Sequence, residues 1–147
     1  MLLYKKSPNR IISRMVENAF FWVNALPINS GMSSTISPWT LVTRAAIDFS
    51  KHCKIEFGVY AEAHKTIFPR NSTQSHTEPA ICLGPTVNLQ GSYWFLDLHT
   101  GSFIKRRAFT PLPIPTRVID CFQALADADN QDTDIDFFNR LGDPIPN

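Results

Sequence analysis

Between residues 8 and 26 apolar side chains recur at helical spacing. Ile12, Met15, Ala19, Trp22, Val23 and Leu26 form a stripe, widened by Ile11, Val16 and Phe20, which predicts an amphipathic helix over 8–26. Ser7 offers an N-cap, Pro8 a first-turn residue that loses no needed hydrogen bond, and Pro27 a stop. So broad a stripe asks for more partner surface than a small domain provides, as a helix belonging to a larger body would. Ser37-Pro38 repeats the cap-then-proline signal and opens a short helical segment to about Thr43. The period then changes from helical to alternating. Cys53, Ile55, Phe57, Val59 and Ala61 alternate with Lys54, Glu56, Gly58, Tyr60 and Glu62, the mark of a half-buried strand.

Residues 66–79 read as a flexible polar loop, and 80–84 as a short apolar strand stopped by Gly84-Pro85. The runs 91–98 and 102–109 predict a hairpin turning at His99-Thr100-Gly101, with the glycine in the left-handed position. After Pro111, Pro113 and Pro115 comes a short helix with Val118, Ile119, Phe122 and Leu125 inward. The expected architecture is α+β. A terminal helix covers 1–27, a linker with a short helix 28–46, and a small antiparallel β-barrel-like sheet 47–110. A closing helix follows over 111–126, then an acidic, disordered tail over 127–147. A twisted barrel or an open sheet buries the alternating faces.

Charge sharpens this division. Residues 1–126 hold thirteen basic and seven acidic side chains, a net of +6, and residues 127–147 hold six aspartates and Arg140, a net of −5. A mildly basic body suits a polyanionic partner. No stretch approaches the roughly 18 consecutive apolar residues of a membrane span. The charges of Met1-Leu2-Leu3-Tyr4-Lys5-Lys6 follow the apolar residues, the reverse of a secretory signal. The chain therefore reads as intracellular, cytoplasmic or nuclear, with no membrane partner.

Catalytic patterns are weak. There is no Gly-rich phosphate loop and no nucleophile elbow. Cys53, Cys82 and Cys121 are odd in number and widely spaced, which is no disulfide framework. Adjacent strand residues point to opposite faces, so His52 and Cys53 are poorly placed to share a metal ion. Cys53 and Cys82 read instead as buried strand cysteines packing as small hydrophobes. The aspartates from Asp127 to Asp136 lack the central Gly and terminal Glu of a calcium loop. The expectation is no catalytic residue, no metal and no cofactor. The positive signal is Lys105, Arg106 and Arg107 beside Tyr93, Trp94, Phe95, Phe103 and Phe109. Cations among aromatics can hold a nucleic-acid backbone and stack bases, and Lys105, Arg106, Arg107, Tyr93 and Trp94 are the candidate contacts. The competing reading makes the aromatics core and the cations guards of an edge strand.

A family resemblance bears on this choice. Asn18-Ala-Phe-Phe-Trp-Val-Asn-Ala-Leu-Pro27 resembles the last helix of the integrase core in copia-type retrotransposon Pol polyproteins. Ser37-Pro38-Trp-Thr-Leu-Val-Thr43 and His52-Cys-Lys-Ile-Glu-Phe-Gly58 follow in the family's order. So do Asn88-Leu-Gln-Gly91, the Thr100-Gly101 hairpin, and Leu112-Pro-Ile-Pro115 with Val118-Ile119. The likeness spans roughly residues 10–126 and implies the region from the end of the integrase core toward the reverse transcriptase. It implies further that the family's three metal-binding acidic residues precede the first helix, and Glu17 sits in the wrong helix to replace one. On that basis the segment is expected to be non-catalytic alone and to contact nucleic acid weakly. Its first helix is expected to dock on the remaining polyprotein or integrase core. A free-standing β-barrel protein-interaction module is the alternative.

Overall fold

A computed structural model describes residues 7–29, 31, 33–65 and 75–129. Helix α1 (Asn9–Ala25) is followed by α2 (Pro38–Thr43), α3 (Phe49–His52), β1 (Tyr60–His64) and β2 (Thr77–Pro85). Then come β3 (Tyr93–Asp97), β4 (Phe103–Arg106), β5 (Phe109–Pro111) and α4 (Thr116–Ala128). The fold is α+β, with one antiparallel sheet in the order β4-β3-β2-β1-β5. The sheet is not closed into a barrel: no ladder joins β4 to β5.

Yet β4 and β5 occupy opposite edges and are consecutive in the chain, with only Arg107 and Ala108 between them. In a flat sheet those edges would lie about 19 Å apart, four strand spacings. The three Cα steps from Arg106 to Phe109 reach at most about 11 Å. The sheet must therefore curl. The floor of the concave face carries Ala61, Ala63, Ala80 and Cys82, all fully buried and small enough to permit the bend. Tyr93 and Phe95 of β3 fill the hollow and meet Phe109 of β5 across it, with ring centroids 5.2 and 5.4 Å apart. On the other face Tyr60, Ile81, Leu83 and Leu96 form a second core with Ile11 of α1 and Val118 and Phe122 of α4. Glu78 of β2 accepts from Arg106 at 3.1 Å and lies 3.4 Å from the Lys65 ammonium, fastening the β4–β5 corner.

Several expectations are corrected. The alternating run 53–62 is a strand only from Tyr60 onward. Its first part follows α3, whose N-cap Asp48 accepts from the Ser50 amide, and turns at Gly58 with φ 83°. Cys53 is thus exposed, whereas Cys82 is buried in β2 as expected. The predicted loop 66–79 gives way to strand at Thr77, and its 66–74 part lies outside the described residues. The run 102–109 divides at Arg107-Ala108 into β4 and β5. The closing helix starts at Thr116 and continues through Asp127 and Ala128, taking the first residues assigned to the tail; 130–147 lie outside the described residues.

Helix α1 departs in two ways. Pro8, in extended backbone, is its N-cap, and no side chain caps it, so Ser7 does not serve. Its buried residues are Ile11, Phe21 and Ala25, while Val16, Phe20, Val23 and Leu26 of the predicted stripe face outward. The seated face runs 11, 14, 18, 21, 25 and includes the polar Arg14 and Asn18. Gly84 makes room for it: a Cβ there, at φ 96°, would collide with Asn18 Oδ1. In contrast α2 forms as read, with Ser37 Oγ accepting from the Thr40 amide at 3.2 Å and Pro38 in its first turn. The hairpin turn also holds. The Asp97 carboxylate accepts from the His99 amide at 2.9 Å and the Thr100 hydroxyl at 2.6 Å, and Gly101 has φ 65°.

The seat of α1 gives a direct test. Gly84→Ala combines left-handed strain with a side-chain collision and should cost about 2 kcal/mol or more of unfolding free energy in urea. Gly101→Ala, whose new methyl meets only ordinary contacts at 3.7 and 4.0 Å, should cost about 1 kcal/mol. Equal losses would show that the α1–β2 approach is not the constraint.

Candidate nucleic-acid interface

One turn apart on α1, Arg10 and Arg14 point at the β3–β4 hairpin. The Arg14 guanidinium carbon lies 4.4 Å from the Trp94 ring centroid and 5.3 Å from that of Phe103. Arg10 stands 5.9 Å from Phe103. Trp94 and Lys105 are register partners on neighbouring strands, and the Lys105 ammonium sits 4.3 Å from the Trp94 ring. Three cations thus converge on two aromatic rings, each contact worth about 0.5–1 kcal/mol where solvent reaches it. The carboxylate that an ion pair places here is Glu17, 2.7 Å from Arg14 and largely exposed, a pair of little energetic weight. Arg107 is exposed beyond β4 and has no carboxylate partner among the described residues.

The five expected contacts separate by strand parity. Lys105 and Trp94 share the face turned to α1, whereas Tyr93 and Arg106 share the concave one. Tyr93 is fully buried. Its hydroxyl donates to the Lys51 carbonyl and accepts from the Lys54 amide, both at 2.9 Å, tying the loop after α3 to β3. Burial raises its pKa, so it stays a neutral donor. Arg106 is half-buried and committed to Glu78. Neither of the two offers a surface to a ligand. Phe95 and Phe109 are likewise concave core, while Phe103 belongs to the ridge. Arg10 and Arg14 were missed in the sequence; their i,i+4 spacing was visible, but the apolar stripe directed attention to the opposite side of the helix.

Among the described residues no three His, Cys, Asp or Glu side chains converge on a metal-sized site. Burial pushes the Cys82 thiol up to about 12, leaving it without thiolate at neutral pH. His52 is buried against Phe21 while its neighbour Cys53 is exposed. No helix among the described residues is long and apolar enough to cross a membrane. Two grooves flank α1. One of about 560 Å³ is lined by Asn18, Trp22, Ile55, Phe57 and Pro85 among others. The other, about 360 Å³, lies between Phe20, Phe21, Trp39 and Val42. No family model matches the chain, no curated protein matches it, and no solved structure matches it.

His52 gives stability a pH dependence. Burial lowers its pKa below 6.5, outweighing the opposing pull of Asp48. The folded state therefore prefers neutral imidazole: its contribution is complete above pH 6.5 and is lost as pH falls through the folded-state value. The urea midpoint should drop between about pH 7.5 and 5, and His52→Phe should flatten that slope. A slope unchanged in the variant would assign it to other groups.

Proposed function

We propose that the chain contacts nucleic acid through Arg10, Arg14 and Lys105, arranged around Trp94 and Phe103, together with the exposed Arg107 just beyond β4, and that it performs no chemistry of its own. The carrying observation is the convergence of Arg14 and Lys105 on Trp94 from two different elements. The ring fixes both cations without itself neutralising them, although Arg14 also pairs with the exposed Glu17. Because both lie within 4.4 Å of the ring centroid, the indole serves as a platform for charge and not as a free face for a base. The contact is then to phosphates, tolerant of sequence and steeply salt-dependent. The net +6 of residues 1–126 supports the same reading.

The resemblance to copia-type Pol polyproteins supports reading this contact as part of a segment between an integrase core and a reverse transcriptase. An Asp/Asp/Glu core upstream and a polymerase Asp-Asp motif downstream in the same reading frame are then expected. A protein-interaction module is the second reading, and one observation favours it. Phe20 and Val42, 65% and 84% exposed, rim the apolar groove between α1 and α2. Salt separates the two: phosphate contact weakens as ionic strength rises, whereas apolar docking does not.

Fluorescence anisotropy with a labelled duplex provides the measurement. Lys105→Glu combined with Arg107→Glu should weaken binding about tenfold or more at about 50 mM salt and flatten the log–log salt slope by about two. Tyr93→Phe should lower stability by about 1–3 kcal/mol, since it strands the Lys54 amide, and leave affinity unchanged. Affinity indifferent to the double charge reversal would refute the interface.

A further inference from the structure

Helix α1 is seated on the sheet by one face, through Ile11, Phe21 and Ala25, and its opposite face carries a second apolar row. Ile12, Val16, Ala19, Val23 and Leu26 follow one another at spacings of four, three, four and three residues, the repeat of a helix that packs on another helix. Val16, Val23 and Leu26 are 46%, 60% and 53% exposed, and Ala19 is exposed at the middle of the row. Leu26 is the C-cap and prolongs the row just past the last helical turn. The flanks are apolar too, with Phe20 on the side of α2 and Met15 and Trp22 on the other. No charge interrupts this surface: Arg10, Arg14 and Glu17 fall on the other half of the helix.

We infer that α1 pairs with α1 of a second copy of this chain, antiparallel, about a two-fold axis beside Ala19. The row itself selects this occupant, because it is nearly palindromic about Ala19. A branched aliphatic residue stands seven positions away on each side (Ile12 and Leu26), and a valine three or four away (Val16 and Val23). A two-fold axis at Ala19 sets like sizes against each other at both ends and leaves the smallest side chain where the helices cross. Such self-matching is what an isologous interface requires. Orientation follows from the helix ends. The first turn of α1 holds no acidic residue and the last no basic one, so its macrodipole lacks side-chain compensation, and an antiparallel neighbour opposes it. The exposed parts of these side chains amount to roughly 600 Å² per copy, and a pair burying about 1,200 Å² stands at the lower end of stable interfaces. The dimer is therefore weak, in the micromolar range. It stands independently of the nucleic-acid contact, whose cations lie on the other flank of the helix.

Sedimentation velocity on the full chain should show monomer giving way to dimer between about 1 and 200 µM. Ala19→Glu brings two carboxylates together at the axis and should weaken dimerisation about tenfold or more. Its urea midpoint at low micromolar concentration should hold, because Ala19 is exposed. Cysteine cross-linking reads the register separately. In a Cys53→Ser background, Ala19→Cys should form an inter-chain disulfide under mild oxidation, whereas Ile12→Cys, whose counterpart is at the far end of the pair, should not. Lys105→Glu with Arg107→Glu should leave the dimer unchanged, which separates this interface from the nucleic-acid one. A chain still monomeric at about 200 µM overturns the pairing, and co-sedimentation of that monomer with phosphatidylcholine vesicles would assign the face to a lipid surface instead. Equal cross-linking at positions 12 and 19 overturns the antiparallel register. A dimer of parental strength in Ala19→Glu overturns the assigned face.

Discussion

Two residues, Arg107 and Ala108, join strands that lie at opposite edges of a five-stranded sheet. That connection is too short for a flat sheet, and the rest of the structure answers to it. The bend needs a floor without bulk, which Ala61, Ala63, Ala80 and Cys82 provide. It also needs the resulting hollow filled, since an empty space would forfeit dispersion contacts. Tyr93, Phe95 and Phe109 do so from strands that would not touch in an open, flat arrangement. Arg106 and Glu78 hold the corner from the rim. The sheet thus has the curvature of a barrel without the closing ladder.

The same curvature sorts the chemistry of the hairpin. Alternation sends Tyr93 and Arg106 into the hollow and Trp94 and Lys105 to the outer face. Residues adjacent in sequence therefore acquire different physical roles. Tyr93 becomes a buried clamp with both functions of its hydroxyl satisfied. Trp94 becomes a half-buried platform that draws Arg14 from α1 and Lys105 from β4. This clasp packs the helix and displays charge together, so fold stability and surface electrostatics share one set of side chains.

Helix α1 reaches that position because the strand beneath it lacks a side chain at Gly84. Close approach admits Asn18 and Arg14 to the seated face and turns Val16, Phe20 and Val23 outward. Outward apolar side chains on a helix ordinarily mark a contact surface. Beside them the short α2 contributes Trp39 and Val42 to the same groove. The molecule therefore presents two dissimilar surfaces on opposite flanks of one helix, one cationic and one apolar.

Local chemistry was decisive wherever an element carries its own signal. Ser37-Pro38 specified α2 because the cap and the proline act within one turn. Thr100-Gly101 after Asp97 specified the hairpin turn because its hydrogen bonds close over three residues. The α+β class and the buried Cys82 were equally legible, and so was Lys105 beside Trp94, but Arg10 and Arg14 were not. What the chain could not express locally was decided in three dimensions. Alternation over 53–59 suggested a strand, but no neighbouring strand pairs it throughout, and the Asp48 cap and Gly58 turn prevail there. The buried side of α1 depends on Gly84, 66 residues beyond Asn18 in sequence. Which cations remain available at the hairpin depends on sheet curvature, which brings Glu78 to Arg106 and leaves Lys105 with Trp94. Periodicity reports that a face is apolar; only the partner surface determines which face is covered.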